Sequence, residues 1–141
     1  MTRPGPNGPV KWEASVFARL MGLKTISPRE LHALMQNGSV TAVDVNPRGS
    51  WAEARVPGAL SLDPVDFVAG DLPSDKDAAL VFYCSNVMCT KAPRAARRAV
   101  SMGYRHVHVM SAGIKGWLQA ALPTESGEAG AAWVTRAPTR P

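Results

Sequence analysis

Short apolar runs alternate with segments of helical periodicity along this chain. Four runs bounded by turn residues are predicted to be buried strands: 40–45, 59–62, 78–83 and 107–110. Three segments repeat apolar residues at helical spacing: 28–36, 91–102 and 114–121. Strands that alternate with helical connections predict an α/β fold with a parallel sheet and helices on both of its faces.

Start and stop signals support the two longer helices. Residues 27–30 (SPRE) have the form of a capping box with proline at the first helical position, and residues 37–38 (NG) predict the end of that helix. Thr90 is the expected N-cap of the helix at 91–102, and Gly103 is its expected end.

Two shorter helices are expected between these elements. Ser50 can cap a short helix at 51–54, and Asp63 can begin another of one or two turns. Residues 71–77 have the composition of a loop.

The 141 residues are enough for one domain between two tails. Residues 1–24 are expected to be a tail with a short amphipathic helix at 10–23, residues 25–123 to be the domain, and residues 124–141 to be a disordered tail. No apolar run approaches the roughly 20 residues that span a bilayer, and the first residues lack a signal-peptide pattern. We therefore expect a cytoplasmic protein without a membrane partner.

Charge is distributed unevenly. No Asp or Glu occurs between Ala78 and Thr124, where six residues are basic: Lys91, Arg94, Arg97, Arg98, Arg105 and Lys115. Their charge of +6 exceeds the net charge of +5, so the rest of the chain is close to neutral. Such a field favours a small anionic substrate. A solvated helix face or weak attraction to nucleic acid would produce the same pattern.

Cys84 is the candidate reactive residue. It follows the apolar run 78–83 and precedes a short polar loop and a basic helix. A thiol at the carboxyl edge of a sheet, next to the N–H groups and positive dipole end of a helix, is stabilised as the thiolate. Its pKa then falls from about 8.5 into the range of roughly 3.5 to 7.5. Two cysteines are too few for a disulfide framework, so we interpret Cys84 as reactive rather than structural.

Five blocks, in order from Ile26 to Pro123, resemble a single-domain rhodanese. They are Val43-Asp44-Val45, Val56-Pro57-Gly58-Ala59, Cys84, Gly103-Tyr104 and the run AGIKGW at 112–117. The resemblance implies a three-layer domain with a central, mainly parallel sheet flanked by helices. It also implies a sulfurtransferase that moves a sulfane sulfur from thiosulfate or a persulfide donor to a thiol or cyanide through a persulfide on Cys84.

The chain departs from the family pattern at several positions. Asn46 stands where the family usually has Arg, Arg55 where it usually has His, and Ala112 where it has the first glycine of a pair. The loop after Cys84 is about two residues longer than in the common sulfurtransferases, with Lys91 in the place of an Arg. Longer loops occur in the phosphatases and arsenate reductases that resemble rhodaneses. An enzyme of that type, and a catalytically idle module used for binding, therefore stay open as alternatives.

The persulfide would be held by loop amides, by the helix dipole and by nearby cations. The expected substrate-binding residues are Ser85, Asn86, Val87, Met88, Cys89, Thr90, Lys91 and Arg94. Asp44 and Arg48 are expected to give structural support, with Asp44 binding amides of the turn at 46–50 or pairing with Arg48 or Arg55.

Cys89 has two interpretations. As a resolving thiol, it would attack a Cys84 persulfide or sulfenate, release sulfide or water and form a disulfide, provided that the two Cα atoms approach within about 7 Å. Otherwise, it is a small residue that fills the loop.

No metal or cofactor is expected. A zinc site would need Cys84, Cys89, His106 and His108, but the cysteine spacing is untypical and the histidines lie on opposite faces of one strand. The expected partners are a small anionic sulfur donor and a thiol or cyanide acceptor, with a protein sulfur acceptor as a further candidate and no nucleic acid.

Overall fold

The computed structural model describes residue 18 and residues 22–128. Within these residues, five parallel strands form one sheet in the order β1-β5-β4-β2-β3. Their bounds are β1 Lys24–Thr25, β2 Val40–Asp44, β3 Leu60–Ser61, β4 Ala79–Tyr83 and β5 His106–Val109. The prediction of an α/β fold with a parallel sheet is confirmed, and β4 lies at the centre of the sheet.

Helices connect the strands and cover both faces. They are α1 Pro28–Gln36, α2 Arg48–Glu53, α3 Lys91–Ser101 and α4 Gly113–Gln119, with a 3-10 turn at Ala69–Asp71. The capping box of α1 is confirmed, since Ser27 Oγ accepts the Glu30 N–H at 3.1 Å and Glu30 Oε1 accepts the Ser27 N–H at 2.8 Å. Among the described residues, no helix is long and apolar enough to cross a bilayer.

Of the two shorter predicted helices, one has other bounds and one does not form. α2 begins at Arg48, with Pro47 before it, so Ser50 lies inside the helix rather than at its cap. After Asp63 no helix forms; its Oδ1 accepts the N–H groups of Val65 and Asp66 at 2.8 and 3.0 Å, which closes a turn. An Asp that caps a helix and an Asp that closes a turn have the same local signal, so the sequence does not separate the two.

The core has two halves, one on each face of the sheet, because successive strand residues point to opposite faces. The half under α3 is built on small side chains that let the helix lie close to the sheet: Ala92, Ala95, Ala96 and Ala99. Phe82 and Cys84 belong to this half, whereas Val81, Tyr83 and Trp117 belong to the half under α1 and α4.

The ordered chain extends beyond the predicted domain boundary at Pro123. Glu125 forms an antiparallel bridge with Arg55, and the Gly127 N–H donates to the Ala52 carbonyl at 2.7 Å. The first residues of the predicted disordered tail therefore pack against the domain. Of the predicted helix at 10–23, Ala18 is helical and fully buried, and most of the remaining residues lie outside the described ones.

Candidate active site

Cys84 lies directly after β4, at the carboxyl edge of the sheet and on the face covered by α3. Ligands gather at this edge in open α/β sheets. The residue is only 2% exposed, and its Sγ donates to the Cys89 carbonyl at 3.5 Å. We call residues 84–90 the Cys84 loop, because they connect this cysteine to the N-terminus of α3.

Asn86 shapes the Cys84 loop. Its Oδ1 accepts the Met88 N–H at 2.9 Å, and its carbonyl accepts the Cys89 N–H at 3.1 Å. The side chains of Val87 and Met88 are exposed. The sequence predicts that amides throughout 85–91 face the substrate, but those of Met88 and Cys89 are used within the loop.

Helix α4 holds the Cys84 loop from behind. The Ile114 N–H donates to the Cys84 carbonyl at 2.9 Å, and the Lys115 N–H donates to the Ser85 carbonyl at 3.0 Å. These contacts require a very close approach of the two backbones. Gly113 has φ +69°, and a Cβ at this position would lie 2.6 Å from the Ser85 carbonyl. A glycine is therefore needed at 113.

Burial raises the pKa of the Cys84 thiol, and the hydrogen bond and charge of Cys89 raise it further. The backbone N–H groups of Ala92 and Ser85 favour the thiolate, but their effect is smaller than that of burial. The sequence predicts a lowered pKa here. The direction is reversed because the sulfur is covered by the core under α3, which the local pattern does not indicate.

The pKa of Cys89 shifts the other way. Burial acts to raise it, but hydrogen bonds from the Cys84 thiol, from the Lys91 N–H and from Ser85 outweigh burial and lower the pKa. Cys89 is also only half-buried, so a charge on its sulfur is less costly. The two thiols are thus hydrogen-bonded to each other, and their surroundings favour a negative charge on Cys89 over one on Cys84.

The side chains of Lys91 and Arg94 are exposed at the start of α3. The largest influences on the Cys84 pKa are burial, Cys89 and backbone N–H groups, rather than these two cations. The charge of Lys91 instead helps to lower the pKa of Asp63, after the larger effects of the Val65 and Asp66 N–H groups and of the Arg98 charge.

We call the segment between Ala78 and Thr124 the basic window, and two of its other cations are engaged away from the thiols. The Arg98 guanidinium lies 4.7 Å from the centre of the Phe67 ring and donates to the Phe67 carbonyl. Arg105 pairs with Asp77 at 2.7 Å. Acidic residues from outside the window therefore offset part of its positive charge.

Asp44 is fully buried at the end of β2. Its neighbours Val43 and Val45 face the core half that contains Cys84, so the Asp44 carboxyl points to the opposite face of the sheet. Its Oδ1 accepts the Asn46 N–H at 2.8 Å. Burial raises the pKa of this carboxyl to about 6, against smaller opposing effects of Tyr83, Asn46 and Arg55.

This arrangement ties the turn after β2 to the centre of the sheet. The Tyr83 hydroxyl, which faces Asp44, accepts the Val56 N–H at 3.0 Å. Arg55 is buried, lies 3.8 Å from the centre of the Trp51 ring and donates to the Gly127 carbonyl at 3.0 Å. The Arg48 guanidinium lies 4.8 Å from the centre of the same ring, at the surface.

The histidines of the considered zinc site lie far from its cysteines. His106 and His108 pair with Ala79 and Val81 of β4, several residues before Cys84. Three strand residues already span about 10 Å. Within residues 18 and 22–128, no group of three or more His, Cys, Asp or Glu side chains is placed to hold a metal ion.

Two features of the site were not foreseen from sequence. The Ala92 N–H is hydrogen-bonded to the Cys84 sulfur, and Gly113 packs against the Cys84 loop. The first could have been found by counting N–H groups into the first turn of α3. The second depends on contact between segments that are distant in the sequence.

Comparison with known proteins gives a consistent picture. The model of the family described as Rhodanese-like domain matches residues 27–120. The thiosulfate sulfurtransferase GlpE of Haemophilus influenzae is 27% identical over 106 residues, which cover 75% of this chain and 98% of that protein.

Two solved structures share the fold at low identity. A thiosulfate sulfurtransferase from Pseudomonas aeruginosa superposes with a TM-score of 0.69 at 17% identity, over 82% of this chain and 23% of that one. A Rhodopseudomonas palustris protein described as "Possible Tyrosine Phosphatase" superposes with a TM-score of 0.62 at 21% identity, over 89% of this chain and 99% of that one.

Proposed function

Because the chain belongs to the family of rhodanese-like domains, we propose that it is a sulfurtransferase in which Cys84 carries a sulfane sulfur as a persulfide. One observation carries the proposal. The Cys84 sulfur lies at the carboxyl edge of the central strand, where the N–H groups of Ser85 and Ala92 favour negative charge on it. A sulfur that becomes an anion during the reaction is stabilised by donors that are already in place.

The first step loads the enzyme with sulfur. The Cys84 thiolate attacks the outer sulfur of thiosulfate, the S–S bond of thiosulfate breaks, and sulfite leaves with the bonding electrons. In the second step, a thiol or cyanide takes the terminal sulfur and the Cys84 thiolate returns. Cyanide would leave as thiocyanate.

The Cys84 thiol must lose its proton in the first step. Since burial keeps Cys84 protonated at rest, its proton must leave before or during the attack. The proton passes to solvent, and the Ser85 and Ala92 N–H groups favour the thiolate that remains. The terminal persulfide sulfur then faces the N–H groups at the start of α3, with the Lys91 ammonium at the rim.

The same geometry supports sulfur transfer over phosphoryl transfer. A phosphatase of this fold needs an acid for its leaving oxygen and a clamp for the phosphoryl oxygens, for which a guanidinium is suited. Hydrogen bonds from Val65 and Asp66 hold the pKa of Asp63 low, so this carboxylate is a poor acid. Asp44 lies on the other face of the sheet, and Lys91 has no planar fork.

Parallel turnover assays test the proposal. Thiosulfate with cyanide should yield thiocyanate, an aryl phosphate should not be hydrolysed, and Cys84→Ser should abolish the thiocyanate. Phosphate release that depends on Cys84 and exceeds sulfur transfer would favour the phosphatase alternative. Absence of both reactions in a folded preparation would favour a binding module.

Sulfur transfer through free thiols requires a reducing compartment, so the proposal places this protein in the cytoplasm.

A further inference from the structure

We propose that Cys89 resolves the Cys84 persulfide, so that the Cys84 loop itself releases hydrosulfide and closes a Cys84–Cys89 disulfide. This inference rests on the proposed function, because the persulfide must form first. It adds a product, hydrosulfide, and a requirement for a dithiol reductant to the sulfur transfer described above.

Contact between the two cysteines is the first support. Both cysteines are free thiols, and the Cys84 thiol is hydrogen-bonded to Cys89 within a loop of five peptide units. The Cys84 Sγ also lies 3.5 Å from the Cys89 carbonyl, so the Cys84 side chain packs directly against Cys89. A nucleophile held next to its target reacts as if its concentration were far above that of any thiol in solution.

Access to the two sulfurs differs. Cys84 is 2% exposed, so the loop must move to admit thiosulfate, and it must move again to admit an acceptor from solution. Cys89 is half-buried and already inside the loop. The internal thiol therefore reaches the persulfide ahead of a bulky external one.

The leaving group decides which sulfur is attacked. If Cys89 attacks the Cys84 Sγ, the bond between Sγ and the terminal sulfur breaks, a disulfide forms, and the terminal sulfur leaves with the Cys89 proton as hydrosulfide. If Cys89 attacks the terminal sulfur instead, the buried Cys84 thiolate must leave. The less basic sulfur leaves faster. Burial makes the Cys84 thiolate a more basic leaving group than hydrosulfide. The first route is therefore favoured.

The cycle closes without any oxidant. The S–S bond of the donor supplies the oxidising equivalents, which pass first to the persulfide and then to the Cys84–Cys89 disulfide. A dithiol reductant returns both thiols and becomes a disulfide itself. Turnover to hydrosulfide then depends on that reductant, whereas transfer to cyanide does not.

A single-turnover experiment tests the inference. The reduced protein and Cys89→Ser are incubated with thiosulfate without reductant, desalted rapidly to remove sulfite, and analysed by intact mass, peptide mapping and a hydrosulfide assay. The unaltered chain should release one hydrosulfide and lose the mass of two hydrogens, with Cys84 linked to Cys89. Cys89→Ser should gain one sulfur on Cys84 and release no hydrosulfide. Adding a dithiol should give repeated hydrosulfide release from the unaltered chain only.

Four outcomes would overturn the inference. A stable sulfur on Cys84 in the unaltered chain, or equal hydrosulfide release from Cys89→Ser, would remove the resolving role. A persulfide mapped to Cys89 would mean that sulfur is relayed rather than released. If neither folded protein gains sulfur or releases hydrosulfide, the proposed function fails together with this inference. Cys89→Ala is a second variant in case the serine variant misfolds, and circular dichroism compares the folding of both with that of the unaltered chain.

Discussion

Gly113→Ala should destabilise the fold and also displace the Cys84 loop, and the two effects can be measured separately. Gly113 has φ +69°, and an added Cβ would lie 2.6 Å from the carbonyl carbon and oxygen of Ser85 and 2.7 Å from the Asn86 nitrogen. All three are backbone atoms, so no change of side-chain rotamer relieves the overlap. Either α4 or the Cys84 loop must move.

Two contributions set the expected loss of stability. An alanine in the left-handed region costs roughly 1–2 kcal/mol, and forcing an extra carbon into a packed contact costs roughly 1–3 kcal/mol more. Gly38→Ala is the matched control, since Gly38 has φ +76° and nothing within 4 Å of an added Cβ. The control carries only the first contribution, so the difference between the variants is expected to be about 1–3 kcal/mol.

Urea unfolding followed by circular dichroism measures this difference, and sulfur loading from thiosulfate reports the loop. Displacing the loop weakens the hydrogen bonds from Ile114 and Lys115 to the carbonyls of Cys84 and Ser85. Gly113→Ala should therefore load more slowly even where it is fully folded, whereas Gly38→Ala should load like the unaltered protein. Equal stability losses and equal loading rates would refute this account of α4.

Four further variants test the electrostatics and the packing. Cys89→Ser removes two influences that raise the pKa of Cys84, so the pH midpoint for alkylation of Cys84 by iodoacetamide should fall; an unchanged midpoint would contradict the coupling of the thiols. Asp44 has its pKa raised from 3.8 to about 6, so the folded chain keeps a proton that the unfolded chain releases, and stability should fall as the pH rises through this window. Asp44→Asn should remove the share of this pH dependence that Asp44 causes, which is up to about 3 kcal/mol between pH 4 and 7 in urea unfolding. The same pH dependence of stability in the variant and the unaltered protein would exclude the effect. Arg55→Lys should lower the free energy of unfolding by about 2–3 kcal/mol, because the buried guanidinium loses its hydrogen bonds to carbonyls and its stacking on Trp51. Glu125→Gln should lower it by under about 1 kcal/mol, since Glu125 is half exposed. Similar losses in the two variants would show that burial does not set the strength of this ion pair's partners.

Elements with strong local signals were predicted well from the sequence. The capping box begins α1 at Pro28, and the apolar run before Cys84 becomes the central strand β4. Elements with weaker local signals were not predicted. β1 has only two residues, Lys24 and Thr25, and owes its strand conformation to pairing with β5.

The order of the two thiol pKa values could not be predicted locally. The position of Cys84 between a strand and a helix indicates a stabilised thiolate, but the alanines of α3 cover its sulfur and reverse the effect. Burial by a neighbouring element is set by tertiary packing rather than by sequence neighbours. The docking of Glu125 on Arg55 was missed for the same reason.

Sulfur loading of Cys84 is the most direct test of the central claim. The measurement is the intact mass of Cys89→Ser after incubation with thiosulfate, compared with the double variant Cys84→Ser, Cys89→Ser. Removing Cys89 prevents resolution of the persulfide, so the measurement does not depend on the further inference. We predict a gain of one sulfur atom in the single variant and no gain in the double variant. An unchanged mass in the folded single variant, or an equal gain in both, would contradict a Cys84 persulfide.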